Sequence, residues 1–446
     1  MTDRASFGLH WFGKEEASRE AVAQSTCTWH DETGQPFIFD REAHHLIEGD
    51  NLDALKHLKP HLLGQVDLIY IDPPYNTGHD FVYSDRFSRD RRPGDDSKLG
   101  HAAWLSMIYP RLKLAKSLLS ERGVIFVSID DHELAHLTCV MNELWGEDHQ
   151  LATLVISMNP KGRQLGRFAT AHEYLLVYAQ NQDRCALEYA LKEAVNPLDF
   201  PYRDESGMFR KLPLRNSNKR FNPETRPNLY FPLYIHPETG EVSVELREGA
   251  HEVWPIFGSG EPAVWRWSRR RVQERSDELW GGIVRGRLGD RWDIQQKDYN
   301  HPDRKKKLKS IWLSDEIGST DQAAKELKAY GVEVFETPKP LKLLRRILSL
   351  SPEDALVLDF FAGSGTTCDA VLRANAEDGG TRKIILVQQA SSTGDSRFTG
   401  ESRFATITEI TRARIRAVQA ELDIDEASVQ FSRVIPEKHI EREDYK

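Results

Sequence analysis

Short apolar runs rich in β-branched residues punctuate this chain at residues 66–71, 123–130, 151–157, 174–178, 356–359 and 384–387. Each is bounded by turn or charged residues and is too short for a helix, so each reads as a strand buried on both faces. Leu46-Ile47 opens a further element, which turns at Gly49-Asp50-Asn51 and continues as a helix with Asn51 as its expected N-cap. Residues 104–121, 131–144 and 404–422 carry helical periodicity, the first with Pro110 inside it. Thr337-Pro338-Lys339-Pro340 opens another helix through Leu350, with proline at its first turn. This alternation predicts an α/β domain on a parallel-rich sheet.

The pattern breaks between residues 181 and 317. Prolines multiply there (Pro197, Pro201, Pro213, Pro223, Pro227, Pro232, Pro237), and helical periodicity fades. The expected division is an N-terminal extension over 1–45, one half of an α/β domain over 46–180, an insert over 181–317, the second half over 318–432, and a charged tail over 433–446. Residues 76–103 form a long polar loop interrupted by Phe81, Tyr83 and Phe87, long enough to be functional.

Composition narrows the class. With 446 residues, 39% of them hydrophobic and 9% aromatic, the chain can bury a substantial core. No apolar run approaches the ~18 residues of a membrane helix, and the start lacks the basic and apolar regions of a signal peptide, so a cytoplasmic location is expected. The four cysteines (Cys27, Cys139, Cys185, Cys368) form no C-x-x-C pair, and neither a disulfide framework nor a metal site is expected. The net charge is −9, yet residues 261–310 hold 14 Lys/Arg against 8 Asp/Glu, a local +6 that leaves −15 elsewhere. Five of the ten tryptophans lie between Trp254 and Trp292, interleaved with arginines as in Trp265-Arg266-Trp267-Ser268-Arg269-Arg270-Arg271. A basic surface on an acidic body suits a polyanionic partner.

Two strand ends carry the candidate chemistry. Residues 66–71 run into Asp72-Pro73-Pro74-Tyr75, where the prolines stop the strand and hold an acid at its carboxyl end. Open α/β sheets bind ligands at that end. Residues 356–359 run into Phe360-Phe361-Ala362-Gly363-Ser364-Gly365 and then a helix. The two glycines allow a ligand close to the backbone at a helix N-terminus. The loop does not fit G-x-G-x-x-G, because position 368 is cysteine, and no G-x-x-x-x-G-K-[ST] occurs to suggest ATP.

Asp-Pro-Pro-Tyr followed far downstream by Phe-x-Gly-x-Gly resembles the amino-methylating DNA methyltransferases that use S-adenosylmethionine. The catalytic motif before the cofactor motif resembles their β class, and Asn76-Thr77-Gly78 resembles the modification subunits of type III restriction systems. The resemblance covers roughly residues 46–180 and 318–421. It implies a Rossmann-like methyltransferase fold in circularly permuted motif order, with an inserted target-recognition domain. It implies cofactor contacts from Asp50, Asn51, Asp72, Lys339, Pro340, Asp359, Phe360, Phe361, Gly363, Ser364, Gly365, Thr366 and Thr367. The family usually ends the next strand with an acid that holds the ribose; here Gln388-Gln389 stands, and Gln388 takes that place. Asp130, ending another strand, is a second candidate for the cofactor or a helix cap.

The residue types suit this chemistry. The exocyclic amine of adenine is a poor nucleophile because its lone pair is delocalised into the ring. Two acceptors gripping its hydrogens, the Asp72 carboxylate and the Pro73 carbonyl, would turn that lone pair toward an electrophile, and Pro73-Pro74 makes the acceptors rigid. The base must first be flipped out of the duplex, and Tyr75 offers a ring on which to stack it, worth about 1–3 kcal/mol. Arg266, Arg269, Arg270, Arg271, Lys305 and Lys306 are expected to contact DNA phosphates. The expected protein is thus an adenine-N6 DNA methyltransferase. It acts as a homodimer, either alone or beside a separate restriction subunit. Cytosine-N4 methylation uses the same grip. Methylation of RNA or of a glutamine side chain, or a DNA-binding protein with an inactive site, are the remaining alternatives.

Overall fold

The computed structural model describes residues 8–77, 96–159, 162, 168–187, 190–192, 197–286, 289–300, 305–332, 335, 337–391 and 404–437. Phe81, Tyr83 and Phe87, and the polar stretch at 392–403, lie outside the described residues. The chain divides into two compact units, residues 1–191 with 307–446, and residues 192–306.

The first unit is built on ten strands: β1 (Cys27–Asp31), β2 (His44–Glu48), β3 (Val66–Ile71), β4 (Leu119–Ile129), β5 (Gln150–Ile156), β6 (Glu173–Ala179), β7 (Ile311–Trp312), β8 (Leu356–Asp359), β9 (Lys383–Gln388) and β10 (Val429–Pro436). They lie in the order β1-β10-β2-β9-β8-β3-β4-β6-β5-β7. The run from β10 to β4 is parallel. The sheet is mixed at its flanks, because β1 pairs antiparallel with β10, and β6 runs antiparallel to both β4 and β5.

Side chains alternate across the central strands. Ile69 and Ile71 face a core shared with helices Asn51–Leu62, Asp96–Leu118 and Leu134–Trp145. Leu68 and Tyr70 face a second core shared with helices Leu341–Leu348, Thr366–Asp378 and Ile407–Glu421. Burial on both faces explains why these strands read as unbroken apolar runs. Asp96–Leu118 carries the chain from β3 to β4, and Thr366–Asp378 carries it from β8 to β9 in the opposite direction across the sheet and on the opposite face. The strands β3 and β8 are neighbours, paired at Leu68–Val357 and Ile69–Leu358. A crevice at their carboxyl ends follows from this reversal of winding.

Several expected boundaries move. The helix expected at 104–121 runs Asp96–Leu118, and β4 begins at Leu119 because Leu119 already pairs with Val66. Asp50, not Asn51, is the N-cap, its carboxylate accepting from Leu52 N (2.8 Å) and Asp53 N (3.3 Å). The N-terminal extension supplies β1, and the tail expected from residue 433 holds the second half of β10, which lies between β1 and β2. Among the described residues no helix is long and apolar enough to cross a membrane.

The second unit starts and ends eleven residues inside the insert expected at 181–317 (192 against 181, 306 against 317). The difference has a physical basis: Ile311 and Trp312 pair with Val155 and Ile156 at the edge of the main sheet. Within residues 192–306, Leu279–Gly286, Gly289–Tyr299, Gly207–Pro213 and Tyr202–Asp204 form an antiparallel four-stranded sheet. Its core gathers Leu214, Phe231, Leu233, Ile235, Trp265, Trp267, Val272 and Ile294.

Candidate active site

Pro73 and Pro74 end β3 and project Asp72 beyond the sheet, and Trp104 Nε1 fixes the turn by donating to the Pro74 carbonyl at 2.6 Å. One oxygen of the Asp72 carboxylate, Oδ1, accepts from the Tyr75 hydroxyl at 2.8 Å and lies 2.9 Å from Lys339 Nζ. Lys339 also donates to the Tyr75 hydroxyl at 2.8 Å and lies 3.4 Å from either oxygen of Glu173, the first residue of β6. The Lys339 ammonium lies 4.9 Å from the centre of the Tyr75 ring, a distance its bond to the Tyr75 hydroxyl accounts for.

This group is mostly out of water. Burial, with Asp72 and Glu173 beside it, holds the Tyr75 phenol well above its ordinary range. Burial also raises the Glu173 carboxyl, although Lys339 works against it. For Lys339 burial favours the neutral amine, but Asp72 and Glu173 outweigh it and raise the ammonium pKa.

Across the strand pair, Asp359 ends β8 and is buried. It accepts from Phe361 N (3.0 Å) and from the Thr367 hydroxyl (2.6 Å). Burial pushes its carboxyl up to about 7 against those two donors, and Asp72 adds to the rise. Gly363 and Gly365 both have positive φ, 52° and 78°, and Gly365 is the N-cap of Thr366–Asp378. The loop is braced from outside: Gln388 Oε1 accepts from Gly363 N at 2.7 Å, and the Thr411 hydroxyl donates to the Gly363 carbonyl at 2.6 Å. Arg414, buried, donates to Asp369 Oδ2 at 2.9 Å and to the Thr366 hydroxyl at 2.9 Å.

A cavity joins the two strand ends. Of the residues that the resemblance names for the cofactor, Asp72, Lys339, Asp359, Phe361, Gly363, Ser364, Thr366 and Thr367 line it, together with Tyr70, Phe335, Thr337, Leu344 and Ala362. The other residues named for the cofactor, Gly365 among them, are not part of its lining. Phe360 is fully buried in the core, and its carbonyl accepts from Asn51 Nδ2 at 2.8 Å. Asp50 pairs with Arg111 at 3.0 Å, Pro340 is the N-cap of Leu341–Leu348, and Gln388 serves as the brace of the glycine loop. Asp130 caps the following turn by accepting from His132 N at 2.9 Å.

Sequence reasoning passed over Glu173, Thr411 and Arg414, which carry no local motif, and also a buried anchor at Glu133. The Glu133 carboxylate accepts from Asn76 Nδ2 (2.6 Å), His101 Nδ1 (2.5 Å) and His136 Nδ1 (2.8 Å). Among the described residues this is the one group of three with metal-ligating atoms close together, within 4.8 Å. Its contacts are hydrogen-bond lengths, and they tie Asn76, just after Asp-Pro-Pro-Tyr, to two helices.

In the second unit Trp265 and Trp267 are core, while Arg266, Arg269, Arg270 and Arg271 are exposed. Arg271 lies 4.6 Å from the Trp267 ring, Arg269 lies 4.8 Å from the Phe231 ring, and Arg270 pairs with Glu274 at 2.7 Å. The side chains of Lys305 and Lys306 lie outside the described residues.

Comparison with known proteins places the chain in a family. A family profile described as DNA methylase matches residues 66–380. The EcoPI Mod subunit, a type III restriction-modification enzyme of Escherichia phage P1, is 34% identical over 457 residues, covering 93% of this chain and 68% of the relative. The type II methyltransferase M.KpnI of Klebsiella pneumoniae is 37% identical over 382 residues, covering 83% of this chain and 86% of the relative. The StyLTI Mod subunit of Salmonella typhimurium is 32% identical, covering 94% of this chain and 64% of the relative. With its acid-proline turn and its glycine loop facing one crevice, the chain belongs to the DNA methylase family.

Proposed function

We propose that this protein methylates the exocyclic N6 amine of an adenine flipped out of duplex DNA, with S-adenosylmethionine as the methyl donor. The observation that carries this reading is the single cavity shared by Asp72, at the end of β3, and the Asp359–Thr367 loop, at the end of its neighbour β8.

The residues fit the donor. A Cβ at Gly363 would meet Phe335 Cζ at 3.4 Å, so the bare glycine leaves the cavity its width. Asp359, with its carboxyl at about 7, gains from a cation beside it. Asp359, Phe361, Gly363, Ser364 and Thr366 would hold the donor, which supplies an electrophilic methyl on a sulfonium. Asp72 and the Pro73 carbonyl grip the two hydrogens of the target amine and turn its lone pair out of the ring plane. Asp72 does not take a proton beforehand, because a carboxylate is too weak a base for a neutral aryl amine; the nitrogen sheds its proton once it is cationic. Tyr75, whose hydroxyl is held on Asp72, keeps a ring at the same turn for stacking.

The exposed arginines 266 and 269–271 supply phosphate contacts for the second unit, which serves as the target-recognition domain. The proposed protein works in the cytoplasm as a homodimer, alone or with a separate restriction subunit; the word subunit in the names of the Mod relatives supports the separate partner. Adenine is favoured over cytosine by Asp72 itself, where cytosine-directed relatives more often place serine, and by Asn76-Thr77-Gly78. Unmethylated DNA treated with the protein and S-adenosylmethionine, digested to nucleosides and weighed by mass spectrometry, will yield N6-methyldeoxyadenosine. N4-methyldeoxycytidine as the sole methylated product would overturn the choice of base.

A further inference from the structure

The contact that the methyl-transfer chemistry leaves unexplained is Lys339 on Asp72. An ammonium 2.9 Å from Oδ1, beside the Tyr75 hydroxyl on the same oxygen, shares the carboxylate's charge with the target amine and so weakens Asp72 as its acceptor. It also sets a positive charge beside a nitrogen that becomes positive as the methyl arrives, and like charges at hydrogen-bond range oppose that step. Lys339 has a second anion within reach. Glu173 lies 3.4 Å away through both of its oxygens, longer than the 2.7–2.9 Å of a tight charge-assisted bond, so the gap has room to close. Glu173 is largely but not fully out of water, its side chain 14% exposed, with Lys339 as its neighbouring cation and Tyr75 Oη at 3.4 Å.

We infer that Lys339 is a movable plug of the base site: it holds Asp72 while the site is empty and shifts onto Glu173 when the target base takes its place on Asp72. Glu173 and Lys339 are then positioning residues, acting on the base through Asp72. The inference rests on the reading of Asp72 as the acceptor for the target amine.

Three features of the site fit such an exchange. The ammonium bonds Tyr75 Oη at 2.8 Å as well as Asp72, so a shift toward Glu173 can pivot on the phenol without leaving the charge unpaired. Asp72 Oδ1 carries two donors, and losing Lys339 leaves it the Tyr75 bond that orients it. Glu173 opens β6, whose backbone is fixed between β4 and β5, so the receiving carboxylate sits on a rigid element.

The test is a double-mutant cycle on the full chain, using Glu173→Gln, Lys339→Met and the pair. Tritium transfer from S-adenosylmethionine to unmethylated genomic DNA gives kcat, and calorimetry gives the affinity for S-adenosylmethionine. With Lys339 present, Glu173→Gln strands the ammonium on Asp72. It should lower kcat by about tenfold or more while cofactor affinity stays within about threefold. In the Lys339→Met background no ammonium needs a second site, so adding Glu173→Gln should change kcat by less than about twofold. Glu173→Asp, which keeps the charge, should hold kcat within about threefold of the parent, a reading that does not depend on how the glutamine variant folds. Equal losses from Glu173→Gln in both backgrounds, or Glu173→Asp as poor as Glu173→Gln, would overturn the plug. An unmodified chain that transfers no tritium would instead overturn the functional reading on which it rests, so the two failures are distinguishable.

Discussion

The crevice of the first unit and the arginine-rich surface of the second hold their charges in opposite ways. At the crevice Asp72, Lys339, Glu173 and Asp359 are largely removed from water, and each is fixed by at least two partners. In the second unit the chain alternates, with Trp265 and Trp267 turned into the core and the arginines beside them left at the surface. Two of those arginines rest on aromatic rings, and Arg270 pairs with a solvent-exposed Glu274. Buried charges are costly to leave unpaired, so Asp72 and Asp359 are held in place for chemistry on a single atom and Lys339 can move only between neighbouring anions. Exposed arginines on short stems of apolar contact can adjust to a phosphate backbone. The contrast is between a preorganised site and an adaptable one, and it gives the two regions different signatures under mutation.

The largest effect is expected from Asp72→Ala. Removing the acceptor should cut kcat by at least about 10²–10³, the scale of losing one preorganised electrostatic group, in tritium-transfer assays on duplex DNA. Residual transfer within tenfold of the parent would mean the grip lies elsewhere.

Next comes Gly365→Val. A Cβ there would stand 3.0 Å from Thr411 Cγ2 at a φ of 78°, where a β-branched residue is strained. Cofactor affinity should fall by about tenfold or more in calorimetry, and full affinity would move the cofactor away from this loop.

Asp359 gives a pH signature. Its folded value near 7 lies above the ordinary 3.8, so its contribution to stability is complete below 3.8 and is lost as pH rises through 7. Asp359→Asn should therefore flatten the fall in melting temperature between those values. A bound cation favours the ionised form, so cofactor binding at pH 7 should release on the order of half a proton, detectable in buffers of different ionisation enthalpy. The asparagine variant should release none, and equal release by both would assign the proton to another group.

The smallest effect belongs to the adaptable region. Charge reversal at Arg269, Arg270 and Arg271 should weaken DNA binding and lower the log–log salt slope by about 0.9 for each phosphate that is no longer neutralised. An unchanged slope would show that this surface faces away from DNA.

What can be read from the sequence divides along the same line. The central strands are legible because burial on both faces leaves an uninterrupted apolar run. Asp72 and the glycine loop are legible because prolines and positive-φ glycines encode geometry within a few residues. The lock around them is not. Glu173 meets Lys339 across 166 residues, and Arg414 meets Asp369 across 45, and neither pairing leaves a local mark. The second half of β10 reads as tail because only Val434 in it is buried, beside exposed Arg433, Ile435 and Pro436, and β1 has no fully buried residue to betray it. The Trp-Arg alternation is visible, but nothing in it says which of the two residue types faces inward.

The central claim is that the ends of β3 and β8 divide the labour, Asp72 acting on the base and the glycine loop on the cofactor. Calorimetric titration of S-adenosylmethionine into the Asp72→Ala variant tests it most directly. The expected result is an affinity within about threefold of the parent in a protein that no longer transfers methyl groups. A loss of cofactor affinity as deep as the loss of activity would contradict it.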